Sequence, residues 1–284
     1  MEKKSLSRNG DYLVRSIVTD ASILKTPTQY PFYTILFVQE GAGTFRADFG
    51  LFPIKSPVIL FSTPLQTLQL EGEFDRVIML QFHGDFYCIE YHKKEVACNG
   101  LLFNNIYIDP YISLPKTEVK AFNQILNDLH AELSDQQPSE SVVTAYLQLF
   151  LAKATSIKTK SLYATQAVSR DEKMESFRNL IDEHYLTLRK PSEYADLLHL
   201  SPDTLTKRCK QYFKKSPTEL IHERIILEAK KGLHLTRKSI KEIAYDLKFN
   251  DEHYFSRFFK KMTKVTPSTF RLKAGISIVA DLST

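Results

Sequence analysis

Two short stretches about fifty residues apart carry side chains suited to gripping the edges of bases. Asp203, Thr206, Lys207 and Lys210 fall at helical spacing, and His253, Ser256, Arg257 and Lys260 repeat their positions at an offset of 50. A guanidinium such as that of Arg257 can hold both acceptors of one guanine, while hydroxyls can donate or accept. Glu252 and Asp203 are carboxylates, which fit only where they meet a donor such as cytosine N4. Lys210, Lys214, Lys260 and Lys261 suit phosphate, since an amine neutralises charge without reading sequence.

The elements that position these groups are themselves repeated. Leu205-Thr206-Lys207-Arg208-Cys209-Lys210 lines up with Phe255-Ser256-Arg257-Phe258-Phe259-Lys260, Ser216-Pro217 with Thr266-Pro267, and Leu220 with Phe270. Upstream the offset is 49, pairing Ala195 with Ala244, Leu198 with Leu247 and Leu200 with Phe249. One extra residue therefore sits at the turn of the second copy. Ser201-Pro202 supplies a capping hydroxyl and a proline at the first helical position, and Asn250-Asp251 takes the capping role in the second copy. Behind each cap one face is apolar: Leu205, Cys209 and Phe213, then Phe255, Phe259 and Met262. A short helix with one buried and one basic face, behind a tight turn, is the helix-turn-helix layout.

Charge follows the same division. The 284 residues carry a net charge of +5, with residues 1–160 at −2 and residues 161–284 at +7. A basic half suggests a polyanion partner for that half. The 43% hydrophobic and 25% charged composition is that of a globular chain long enough for two domains, which excludes disordered and fibrous classes. No apolar run approaches a membrane span, and Met1 to Arg8 has no apolar core behind its basic residues, so a cytoplasmic protein without membrane association is expected. Three cysteines, Cys88, Cys98 and Cys209, do not make a disulfide framework.

Upstream the texture is different. Phe32 to Val38, Thr44 to Phe49, Pro57 to Phe61, Leu68 to Leu70 and Val77 to Phe82 read as short strands, with Glu40-Gly41-Ala42-Gly43 as a break. Lys116 to Leu133 and Ser141 to Ala154 read as amphipathic helices. The predicted fold is α+β and multidomain. Residues 1–160 form the first domain, with a barrel over about 10–110 and helices within 116–156. A linker over 161–169 leads to an all-α domain with two helix-turn-helix units at 170–275, and a tail at 276–284.

The tandem pattern resembles the DNA-binding domain of the AraC/XylS family of bacterial transcription regulators. The likeness is carried by Ile243-Ala244-Tyr245-Asp246-Leu247, Tyr254 through Lys261, and Thr266 through Arg271 in the second copy. The first copy matches through Leu200-Ser201-Pro202, Leu205 and Lys207, and the connecting helix through Arg224, Ala229 and Lys230. The resemblance covers about 100 residues. It implies that both second helices enter successive major-groove segments of promoter DNA. Asp203, Thr206, Lys207, Glu252, His253, Ser256 and Arg257 would then be base readers, with Arg257 foremost. It also implies a cupin-like barrel upstream, a homodimer, a small-molecule effector, and contact with RNA polymerase if the protein activates. The sequence departs from the family at His199 and Lys248, where the interhelical turn usually has glycine, and at Gly232 inside the connecting helix.

Chemistry other than binding finds little support. A metal cupin offers two histidines separated by one residue plus a carboxylate, whereas His83 and His92 stand alone, so no metal, cofactor or catalytic residue is expected. Cys88 and His92 are spaced i, i+4, with Glu95 and Cys98 nearby; metal or redox sensing there competes with two buried thiols and a surface histidine. Tyr33, Arg46, Gln81 and His83 are polar groups on strand-like segments that could line a ligand cavity in the barrel. Against a sequence-specific regulator stand two alternatives. One is a non-specific architectural DNA binder, which would need basic faces but no base readers. The other is a cupin-type enzyme with a basic helical appendage.

Overall fold

The computed structural model describes residues 2–8, 11–48, 50–87, 101–103, 106–166 and 171–274. They separate into two compact units. The first comprises Met1–Asn105 and Asp109–Tyr163, and the second Ala164–Thr284 together with Ile106–Ile108.

The first unit is an antiparallel sheet with two helices. Its strands are β1 (Glu2–Arg8), β2 (Asp11–Thr19), β3 (Thr28–Gln29), β4 (Tyr33–Ala47), β5 (Gly50–Lys55), β6 (Val58–Ser62), β7 (Thr67–Phe82) and β8 (Tyr111–Ser113). They run β1-β2-β7-β4-β6-β8, with β3 beside β7 and β5 beside β4. Among the described residues this ladder is a path rather than a closed ring. The expected break at Glu40 to Gly43 does not occur, because β4 and β7 are long strands paired from Tyr33↔Phe82 to Ala47↔Leu68. Those glycines serve close approach instead of a turn: Gly41 has φ +115°, and a Cβ on it would lie 2.1 Å from the Glu73 carbonyl oxygen. Side-chain alternation switches near Gln39 and Arg76, where Arg76 takes φ +52°. Before the switch Leu36, Val38, Val77 and Met79 face one core; beyond it Phe45, Ala47, Leu68 and Leu70 face that same core. The other face, with Ile35, Phe37, Ile78, Leu80 and Phe82, packs under the helices. This change of facing lets one pair of strands wrap an apolar interior.

Two helices cover the outer face: α1 (Lys116–Glu132), through Phe122, Ile125, Leu126 and Leu129, and α2 (Glu140–Gln166), through Val143, Leu147, Phe150, Leu151 and Ala154. α2 runs on through Ser161 to Gln166, so the first six residues of the expected linker are helical. Ser161-Leu162-Tyr163-Ala164-Thr165-Gln166 contains neither glycine nor proline, and nothing in it stops a helix. Just before these residues Lys158 is buried, and its Nζ donates to the carbonyls of Asp109 and Tyr111, both at 2.7 Å.

The second unit is all helix: α3 (Glu172–His184), α4 (Pro191–Leu197), α5 (Pro202–Tyr212), α6 (Pro217–Leu235), α7 (Ile240–Asp246), α8 (Glu252–Thr263) and α9 (Pro267–Ala274). α4–α5 and α7–α8 are the two helix-turn-helix pairs, and α6 connects them. Gly232 does not interrupt α6; it faces Ile243 of α7, where a Cβ would meet the isoleucine at 3.4 Å. No helix among the described residues is long and apolar enough to cross a membrane.

Candidate nucleic-acid interface

Each second helix begins at a side-chain cap. Ser201 Oγ accepts from the Thr204 N–H at 3.2 Å, and the Asp251 carboxylate accepts from the N–H groups of Tyr254 at 2.8 Å and His253 at 3.1 Å. Those two backbone bonds hold the Asp251 carboxyl below its ordinary range. Behind the caps the two copies are one frame built twice. At an offset of 50, residues 203–220 and 253–270 are buried, half-buried or exposed in the same order at every position. Leu205 and Cys209 are sealed in the first copy, and Phe255 and Phe259 in the second. The Cys209 thiol lies 3.8 Å from the Met174 sulfur, and burial pushes its pKa up to about 12, so it stays protonated and unreactive.

The turns also match. His199 has φ +53° and Lys248 φ +58°, the left-handed conformation for which glycine is the usual residue. Holding a side chain there costs about 1–2 kcal/mol, partly offset because glycine loses about 0.5–1 kcal/mol more on folding. Lys248→Gly should therefore stabilise the second unit by up to about 1 kcal/mol, read as a higher thermal midpoint. A lowered midpoint would show that the Lys248 side chain contributes more than its backbone conformation costs.

One stripe on each second helix faces outward. Asp203, Lys207, Lys210 and Lys214 form it on and just beyond α5; His253, Arg257, Lys260 and Lys264 form it on and just beyond α8. Thr206, Ser256 and Glu252 are half-buried at the edge of these stripes, and the Thr206 hydroxyl donates to the Pro202 carbonyl at 2.9 Å. Among the described residues the side chains of Lys207, Lys210, His253, Arg257, Lys260 and Lys261 make no hydrogen bond or ion pair. Lys214 differs: its amine donates to the Gln211 carbonyl at 2.8 Å, closing the end of its own helix. Lys264 does the same to Lys261 at 3.2 Å. Lys264 was not among the expected phosphate contacts, although the offset of 50 from Lys214 points to it.

The flank of each second helix is anchored differently. Arg208 forms a two-pronged pair with Asp171, Nε–Oδ2 at 3.1 Å and Nη2–Oδ1 at 3.0 Å, and Asp171 also caps α3. At the matching place in the second copy, Phe258 sits edge-on to His222 of α6 with ring centroids 5.2 Å apart. Beside it opens a cleft of about 530 Å³, lined by Arg189, His222, Phe249, Tyr254, Arg257 and Lys261 among others. Burial holds the His222 pKa down, and the positive charges of Lys261 and Arg189 lower it further.

Residues 194–273 match the family model described as a helix-turn-helix domain. The chain carries an AraC-type helix-turn-helix domain. Relatives extend the likeness beyond it. The uncharacterized HTH-type transcriptional regulator YfiF of Bacillus subtilis (strain 168) is 25% identical over 250 residues, covering 86% of this chain and 77% of its own. The HTH-type transcriptional activator RhaS of Pectobacterium carotovorum subsp. carotovorum (strain PC1) is 24% identical over 156 residues, 55% of each chain. The arabinose operon regulatory protein of Salmonella typhimurium (strain LT2) is 28% identical over 151 residues, covering 53% of this chain and 51% of its own. The chain thus spans about half the length of the latter two. The C-terminal domain of AraT, a response regulator from Geobacillus stearothermophilus, is a solved structure 30% identical to this chain; it covers 39% of this chain and 93% of its own, with a TM-score of 0.36. YfiF, RhaS and the arabinose operon regulatory protein are transcription regulators by name, and the helix-turn-helix domain is the DNA-binding part of such a regulator.

The groups singled out in the first unit are dispersed. Tyr33 is buried on the helix-covered face, stacked on Phe82 with centroids 5.2 Å apart. Gln81, on the opposite face, accepts from Arg15 Nε at 2.6 Å and donates to Thr34 Oγ1 at 2.9 Å. Arg46 lies toward the far end of β4, paired with Glu71 at 3.3 Å. His83 Nδ1 accepts from the Asp85 N–H at 3.2 Å. Cys88, His92, Glu95 and Cys98 lie outside the described residues. No group of three or more metal-ligating side chains occurs among the described ones.

Proposed function

We propose that this protein binds promoter DNA sequence-specifically, with α5 and α8 each entering the major groove about one helical turn apart. The reading rests on the two frames with matching burial, each leaving one outward stripe that makes few contacts with its own chain. Base readers are Asp203, Thr206, Lys207, Glu252, His253, Ser256 and Arg257, with Lys210, Lys214, Lys260 and Lys261 on phosphate. Arg257 and Lys207 occupy the same place in the two copies, at the centre of each stripe, where a side chain projects farthest into a groove. The first unit receives a small-molecule signal and pairs two chains into a homodimer in the cytoplasm, as the family resemblance implies; the polar residues Tyr33, Arg46, Gln81 and His83 are its candidate ligand contacts. RNA polymerase is a further partner if the regulator activates.

Selection of the full-length protein against a random duplex pool at near-physiological salt tests this. Two short enriched blocks about one helical turn apart are expected. Arg257→Ala should then weaken binding by about 1–3 kcal/mol and relax a single base position in one block. Equal weakening on every sequence would make Arg257 a phosphate contact. Affinity that follows salt without sequence preference would favour the architectural alternative.

A further inference from the structure

The two helix-turn-helix pairs present the same carbonyl where their first helix ends, and each is taken by a basic side chain from elsewhere. In the first pair, Leu198 O accepts from Lys173 Nζ of α3 at 2.8 Å. In the second, Leu247 O, the equivalent atom at offset 49, accepts from Arg189 Nη2. Arg189 lies between α3 and α4, ahead of the first reading helix. The first clasp therefore comes from α3, which packs against the first pair, whereas the second comes from the segment leading into the first pair and reaches across to the second.

Arg189 is fixed at both ends. Its backbone N–H donates to Glu193 Oε2 at 2.9 Å, an oxygen that also accepts from the Lys190 N–H at 2.7 Å at the start of α4. Its guanidinium lies over the Phe249 ring, 4.8 Å from the centroid. A planar guanidinium can donate in its plane to a helix-end carbonyl while its face covers an aromatic ring, which an ammonium cannot do. Phe249 in turn lies 5.5 Å from Phe258 of α8, the ring that meets His222 of α6. The connecting helix holds the second pair at both α7 and α8, and Arg189 adds an attachment at the end of α7 that comes from ahead of the first pair. Contacts to one helix leave a swivel about the axis of α6; an attachment from off that axis fixes the angle.

We infer that Arg189 is a positioning residue that fixes the angle between the two reading helices and hence the spacing of the DNA blocks the chain accepts. This rests on the DNA-reading function proposed above. Its test uses the full chain as wild type, as Arg189→Gln, and as Phe249→Leu, which removes the stacking ring but keeps an apolar side chain. In selection from a random duplex pool, wild type should enrich two blocks at one spacing, and both variants the same blocks with that single spacing lost. A spacing as fixed in the variants as in wild type overturns the inference. A second readout needs no DNA: spin labels at Asp203→Cys and His253→Cys, with Cys88 and Cys98 changed to serine, report the α5–α8 distance. Its distribution should broaden without Arg189, and an unchanged distribution overturns the latch. If wild type enriches nothing, the DNA reading fails, while the distance measurement still decides the latch. Should Arg189→Gln fail to fold, Phe249→Leu carries both measurements.

Discussion

Alanine at Phe259 will destabilise the C-terminal unit by about 3–5 kcal/mol, the range for removing a fully buried phenyl ring. Phe259 is completely sealed, with Phe255 at 6.0 Å and Phe270 of α9 at 5.7 Å between centroids. Removing it opens a void where α8 rests on α9, and the neighbouring aromatic rings are too rigid to fill it. Denaturant unfolding of the full chain, followed by helical signal, checks the figure. A loss below about 1 kcal/mol would mean that the site collapses around the alanine and that Phe259 does not seat α8. The same substitution at Cys209, which holds the matching place in the first copy, removes one sulfur and should cost much less. The two reading helices stand on the same frame, but the second depends far more on one side chain.

Removing charge from the outward stripes will act on DNA binding without acting on stability. A variant with Lys210, Lys260 and Lys261 all changed to alanine should bind every duplex more weakly. The slope of log affinity against log salt should fall by about 2.7, since each phosphate contact contributes about 0.9. None of these amines has a partner within the described chain, so the unfolding midpoint should hardly move. Lys214 is left out because its amine closes the end of α5 and its loss would mix the two effects. Binding assays at several salt concentrations give the slope. An unchanged slope would place these three lysines away from the phosphate backbone.

Much of the second unit was legible in the sequence because its signals are local and occur twice. Ser201 and Asp251 cap the helices they were expected to cap, and Leu205, Cys209, Phe213, Phe255 and Phe259 are buried as expected, whereas at the end of the second helix Thr263 is buried and Met262 only half-buried. His199 and Lys248 stand where glycine is usual, and both adopt positive φ. Arg189 was not legible, since its role depends on a carbonyl 58 residues away that no periodicity reveals. The β unit was harder for a related reason. Glycines at 41 and 43 look alike in sequence whether the chain turns or two strands press together, and only the partner strand distinguishes the two. The polar run from Lys158 to Ser161 suggests that a linker begins there, yet nothing from Ser161 to Gln166 ends a helix. Tyr33, Arg46, Gln81 and His83 were grouped by type. Alternation that switches partway along β4 and β7 could not show that Tyr33 and Gln81 face opposite sides of the sheet.

The matched burial of residues 203–220 and 253–270 separates two kinds of position in this domain. The sealed positions hold the helices in place, and a change there is felt first as lost stability. The stripe positions, with Lys207 and Arg257 at their centres, contribute little to holding the fold together. On the function proposed above, substitutions in the stripe would alter which DNA is preferred while the folded population stays constant. A lineage carrying this domain would then pass from one operator to another through a series of intermediates that all remain folded.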